Sequence, residues 1–186
     1  MRFLTAIVLV ALAVVAVRAD NVMPMVPSDS IELARRAKES FEQGHYSDGA
    51  KLYEQILKIH PDNVYALSNL GVVYFRIQKF NEAEVVLKKA IAEGPGDAFS
   101  HCTLGIVYFQ EKRSDDAIDE LNKALAINPN YSYAREFLDV VRNIRNGVKP
   151  SKPLPPRLPI GDFDTNHEEE IRGGMGQIGL RPSAGL

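Results

Sequence analysis

Residues 64–97 read VYALSNLGVVYFRIQKFNEAEVVLKKAIAEGPGD, and residues 98–131 read AFSHCTLGIVYFQEKRSDDAIDELNKALAINPNY. Laid one over the other, they agree at Leu70 and Leu104, Gly71 and Gly105, Tyr74 and Tyr108, Ala83 and Ala117, Leu87 and Leu121, and Ala90 and Ala124. Pro61, Pro95 and Pro129 keep the same 34-residue step. One such match carries little weight. A whole register at one period marks an internal structural repeat.

The spacing inside the unit is helical. Leu67, Leu70, Gly71, Tyr74 and Phe75 recur at steps of mostly three and four, which is the buried stripe of one helix. After Gln78-Lys79-Phe80, Asn81 and Glu84 form the expected capping pair of a second helix. That helix turns Ala83, Leu87, Ala90 and Ile91 inward and ends at Gly94-Pro95-Gly96. Small residues such as Gly71 and Ala83 allow the two helices to approach closely. Pro95 closes the unit, because proline disfavours helix in the residue before it.

This order of Leu-Gly, Tyr, Ala, aromatic, Ala and Pro resembles the tetratricopeptide repeat family. Residues 64–97 and 98–131 carry the resemblance well, and residues 30–63 more loosely. In the first unit Ala37, Gly44, Tyr46, Tyr53 and Pro61 fit, whereas Arg36 and Ser40 depart, as in an N-terminal cap. The third unit departs at Ser114 and at His101, where a large apolar residue is usual. Residues 132–147 open a fourth first helix with Tyr133, Phe137 and Val140, and read as a C-terminal cap. The resemblance implies an all-α, right-handed α-solenoid of stacked helix-turn-helix hairpins with a concave side. Recognition is the usual work of such a scaffold, although its shape names no partner.

The resemblance also implies which residues line the groove. Its second position reads Ile31, Tyr65, Phe99 and Tyr133, the ninth Lys38, Val72, Ile106 and Val140, and the twelfth Phe41, Phe75, Phe109 and Asn143. Asn69 and Thr103 stand at the sixth, Arg76 and Gln110 at the thirteenth. The residues expected to meet a partner are Tyr65, Asn69, Val72, Phe75, Arg76, Phe99, Thr103, Ile106, Phe109, Tyr133 and Phe137. Tyr65, Phe99 and Tyr133 are expected to be exposed there, while Phe41, Phe75 and Phe109 at the twelfth position read equally as groove residues or as packing between units. An exposed aromatic cluster of this kind marks an interaction site. Its natural ligand is an amphipathic helix or an extended apolar peptide.

One variant of the family clamps the C-terminal carboxylate of heat-shock chaperones. Its clamp positions correspond to Ala34, Lys38, Asn69, Phe99 and Thr103, of which Lys38 and Asn69 alone fit. A carboxylate set among Phe99 and Ala34 would lose its water without gaining partners, which argues against chaperone tails as the ligand.

The flanks differ in composition. Arg2 followed by the apolar run Leu4 to Val17 and by Val17-Arg18-Ala19 has the three-part layout of a secretory signal peptide over residues 1–19. The run is shorter than the ~20 residues that span a bilayer, so the membrane enters only if the segment stays uncleaved as an anchor. Residues 20–29 read as a linker, and residues 148–186 as a disordered tail rich in proline, then acid, then glycine. Pro150, Pro153, Pro156 and Pro159 fall every third residue and share one face of a polyproline II helix, which reads as a stiff spacer. A sharper expectation is that Leu154, Leu158, Ile160 and Phe163 fold back into the groove.

No constellation for chemistry emerges. A net charge of −2 leaves no basic surplus for nucleic acid. His45 and His60 lack partners at metal-ligand spacing, His167 beside Glu168, Glu169 and Glu170 reads as a solvated acidic run rather than a weak cation site, and Cys102, the single cysteine, has no basic neighbour to activate it, since His101 points elsewhere. Neither a phosphate-binding glycine loop nor a nucleophile elbow is present. No cofactor, metal or catalysis is expected. Asn130-Tyr131-Ser132 is an acceptor triplet for N-glycosylation in a eukaryotic secretory pathway. The expected function is a non-catalytic adaptor or assembly factor, exported to the secretory pathway, the extracellular space or a periplasm. A membrane-tethered assembly factor and an accessory subunit of an enzyme are the alternatives.

Overall fold

The computed structural model describes residues 27–149. The expected leader and the Pro150–Pro159 run lie outside the described residues. Among the described residues seven helices follow one another: α1 (Pro27–Glu42), α2 (Tyr46–Ile59), α3 (Val64–Arg76), α4 (Phe80–Glu93), α5 (Ala98–Gln110), α6 (Ser114–Ile127) and α7 (Ser132–Arg145). There is no strand among the described residues. Helix α1 opens at Pro27, inside the stretch read as linker. Proline suits a first helical position, where its missing N–H would be unpaired anyway.

The helices pair as α1/α2, α3/α4 and α5/α6, and α7 packs on α6 without a partner of its own among the described residues. The second helix of each pair also packs on the first helix of the next. First helices touch one another, α3 with α5 and α5 with α7, so the molecule is an α-solenoid with an inner and an outer layer.

Glycine sets the closeness of each hairpin. A Cβ at Gly71 would stand 2.5 Å from Leu87 Cγ, and one at Gly105 would stand 2.9 Å from Leu121 Cγ and 3.1 Å from the Ala117 carbonyl oxygen. Ala83, Leu87 and Ala90 are the buried residues of α4, and Ala117, Leu121 and Ala124 repeat them in α6. Each hairpin turn passes through the left-handed region, at Gly44, Gln78 and Lys112, again 34 residues apart.

Helix starts are capped in the same register. The Asn63 side chain accepts from the Ala66 amide at 2.7 Å. The Asp97 carboxylate accepts from the amides of Phe99 and Ser100, both at 3.1 Å. Each satisfies orphan donors of a first turn. The pair Asn81 and Glu84 does not cap α4. That helix begins earlier, at Phe80, with Lys79 as its N-cap and no side-chain cap bond. Glu84 turns instead to Tyr108 and Arg113 of the next pair, at 3.1 Å each.

Candidate functional site

An α-helix turns about 100° per residue, so residues seven apart fall nearly in line. Measured from Gly71, which faces α4, Tyr65, Asn69, Val72 and Arg76 lie within about 60° of one another on the far side of α3. Phe99, Thr103, Ile106 and Gln110 form the same stripe on α5, and Tyr133, Phe137 and Val140 continue it on α7. The inner layer therefore carries Tyr65, Asn69, Val72, Arg76, Phe99, Thr103, Ile106, Tyr133 and Phe137 on one side of successive helices, while Phe75 and Phe109 fall about 90° away.

The exposure of that stripe differs from expectation. Tyr65 is 2 % exposed, and its ring meets Tyr53 of α2 edge-on, with centroids 6.2 Å apart. Burial pushes the Tyr53 phenol well above its usual range. Phe99 and Tyr133 are half-buried and present part of their rings. Val72, Asn69 and Thr103 are sealed from solvent, and Ile106 nearly so. Asn69 Nδ2 donates to the Tyr65 carbonyl at 2.9 Å, and Thr103 Oγ1 donates to the Phe99 carbonyl at 2.8 Å. These polar groups bond to their own helix turns, as mid-helix hydroxyl and amide side chains do.

The twelfth-position phenylalanines are packing residues. Phe41 meets Tyr46 edge-on at 5.2 Å, Phe75 meets Phe80 at 5.8 Å, and Phe109 meets Phe137 edge-on at 5.4 Å. They fasten hairpin turns and join α5 to α7. Tyr133 stacks on Phe137 at 6.3 Å, and burial pushes its phenol up to about 12. The Arg76 guanidinium sits 5.6 Å from the Phe41 ring centre, a cation–π contact between α1 and α3. Lys38, Tyr65, Asn69, Arg76 and Tyr133 are all engaged in polar or ring interactions.

Two ties between helices lie outside the expected site. His101 Nδ1 and Glu120 Oε2 stand 2.7 Å apart between α5 and α6, both side chains nearly buried, and Lys123 Nζ donates to the other Glu120 oxygen at 2.7 Å. Tyr108 OH donates to Glu84, while the Arg113 guanidinium lies 3.9 Å from the Tyr108 ring centre. The Lys88 ammonium, foremost, with the Tyr108 hydroxyl and Arg113, holds the Glu84 carboxyl below its ordinary range. The polar residue at the apolar position 101 was the visible signal for the first tie.

Cys102 is buried, and desolvation pushes its thiol up to about 12, the opposite of an activated nucleophile. Among the described residues no group of three His, Cys, Asp or Glu is placed to hold a metal. No described helix is long and apolar enough to cross a membrane. Asn130 is exposed in the turn before α7. On the outer face a shallow cleft of about 300 Å³ is lined by Tyr74, Asn81, Glu82, Val85 and Val86.

Two family models, each described as tetratricopeptide repeat, match residues 40–101 and 98–131. The chain carries tetratricopeptide repeats. No curated protein matches it. Among solved structures, the first such domain of Spaghetti (RPAP3), bound to the HSP90 peptide SRMEEVD, is 21% identical with a TM-score of 0.62. That match covers 65% of this chain and 96% of that one. The second such domain of human RPAP3, in complex with the HSP70 peptide SGPTIEEVD, is 20% identical with a TM-score of 0.59, covering 63% and 98%. A mutant O-GlcNAc transferase of Thermobaculum terrenum is 29% identical with a TM-score of 0.60; the match covers 64% of this chain and 23% of the enzyme. These likenesses establish the fold.

Proposed function

We propose that this protein is a non-catalytic interaction module that receives a peptide or helix of another protein along the inner faces of α3, α5 and α7. The observation that carries the reading is the continuous stripe on the inner layer, with the half-buried rings of Phe99 and Tyr133 at its accessible edges. Apolar burial supplies the binding energy. Two structural neighbours hold acidic chaperone peptides. Such a peptide is therefore the comparison ligand. Here Thr103 and Asn69 donate to their own helices, and Ala34 offers no polar group, which favours an apolar ligand over a clamped carboxylate.

Affinity capture from the native source tests this, using the full chain beside Phe99→Glu/Tyr133→Glu. Both residues are half-buried, so the variant is first checked for its helical signal; Tyr65 is too deeply packed to serve. Val85→Glu, on the 68% exposed outer position, is the control. We expect at least about tenfold loss of the captured partner with the inner variant and none with the outer one. Equal capture by all three chains would refute the inner surface as the site.

Residues 1–19 support export of the protein, and N-terminal sequencing of the mature chain distinguishes a cleaved leader from a retained anchor.

A further inference from the structure

Residues 65–73 of α3 are buried without a break, and so are residues 100–108 of α5. Nine successive positions at about 100° sweep the whole circumference of a helix. The outer helices behave otherwise: in α4 the buried residues are Ala83, Leu87 and Ala90, a single stripe. Helix α3 packs against α2 and α4 and touches α5; α5 packs against α4 and α6 and touches α3 and α7. Asn69 and Val72 lie on the side of α3 turned away from α4, where a two-layer solenoid has no further layer. Sealed residues on that side require a cover.

We infer that residues 150–164 of this same chain are that cover, an intramolecular ligand of the inner face that a partner must displace. The inference rests on the inner face being the binding surface. Three features of the chain fit. Its continuation leaves the solenoid at the end of α7, a helix of the inner layer, so it starts beside the groove. Fifteen residues in polyproline II form reach about 45 Å at about 3.1 Å each, and three steps between inner helices at 8–10 Å need roughly 30 Å. Polyproline segments dock on aromatic-lined grooves, and Leu154 and Leu158 would cross α7 and α5 at Tyr133, Phe137 and Phe99.

The test uses the full chain with a nitroxide at Gly161→Cys, leaving the buried Cys102 unlabelled. We expect the methyl resonances of Val72 and Ile106 to broaden, and Leu154→Asp/Leu158→Asp to abolish the broadening. A fluorescent peptide of residues 149–164 is then titrated into the full chain with and without those two substitutions. A tethered segment acts at about millimolar effective concentration. Against an intrinsic Kd of about 0.1 mM it lowers apparent affinity for the free peptide about tenfold, so the substituted chain binds the peptide about tenfold more tightly. Absent broadening, broadening that survives the substitutions, or equal peptide affinity overturns the inference. If partner capture is still lost with Phe99→Glu/Tyr133→Glu, the inner surface stands and the tail alone is rejected.

Discussion

At the residue scale, the two glycines of the hairpin contacts carry more constraint than any polar group. Alanine in a helix interior is favoured over glycine by about 1 kcal/mol, so Gly71→Ala would stabilise an isolated helix. Here the new methyl would meet Leu87 at 2.5 Å, and Leu87 is itself sealed in the core. Overpacking of this kind costs about 1–3 kcal/mol, and it outweighs the propensity gain. At Gly105 the Ala117 carbonyl at 3.1 Å adds backbone that moves only with α6. Gly96 has nothing within 4 Å of the added atom. Urea unfolding should therefore show Gly71→Ala and Gly105→Ala losing about 1–2 kcal/mol, while Gly96→Ala stays neutral or gains up to about 1 kcal/mol. A stabilised Gly71→Ala would mean that Leu87 repacks freely.

At the element scale, His101 and Glu120 join α5 to α6 where the repeat usually places a large apolar residue. His101→Leu would fill the space but strip a nearly buried carboxylate of one partner, leaving it Lys123. Breaking such a pair costs more than replacing both members. We expect His101→Leu to lose about 1–3 kcal/mol in equilibrium unfolding, and Glu120→Met in that background to recover most of it. A single variant as stable as the parent would show that the pair contributes nothing. The helices themselves were legible, because a 34-residue register fixes period, turn and closing proline together. The caps at Asn63 and Asp97, two residues after their prolines, were not singled out from the sequence. Asn81 and Glu84 misled because a capping pair is a local pattern, and the tertiary reach of Glu84 to Tyr108 prevailed. The inner stripe was legible as a set of positions sharing a face. How exposed each one is was not, since spacing reveals which side of a helix a residue occupies and nothing of what lies across it. Tyr65 is the case in point: the period places it on the stripe, yet it is 2 % exposed, with its ring against Tyr53 of the preceding helix.

At the scale of the molecule, a solenoid is a one-dimensional stack in which each unit leans on its neighbours. The central helices α3 and α5 have neighbours on both sides, whereas α7 packs on α6 and only touches α5. Exposure follows the same gradient: α7 leaves Arg135, Glu136, Asp139 and Arg142 in water, and α1 leaves Glu32, Arg35, Arg36 and Glu39. The ion pairs of Arg35 with Glu32 and Glu39 are exposed and stabilise α1 little. Opening should then begin at the ends and reach the centre last. In native-state hydrogen exchange followed by mass spectrometry, amides of α3 and α5 should exchange only through global unfolding. Those of α1 and α7 should open at least about tenfold more readily, a difference of about 1.4 kcal/mol. Protection of α7 equal to that of α5 would contradict the one-dimensional picture. The gradient would bear on binding, because Tyr133 and Phe137 sit on α7, the last described helix, and Phe99 on the central α5. A ligand crossing the inner face would meet a fixed floor and an adjustable wall, and binding should raise the protection of α7 more than that of α3.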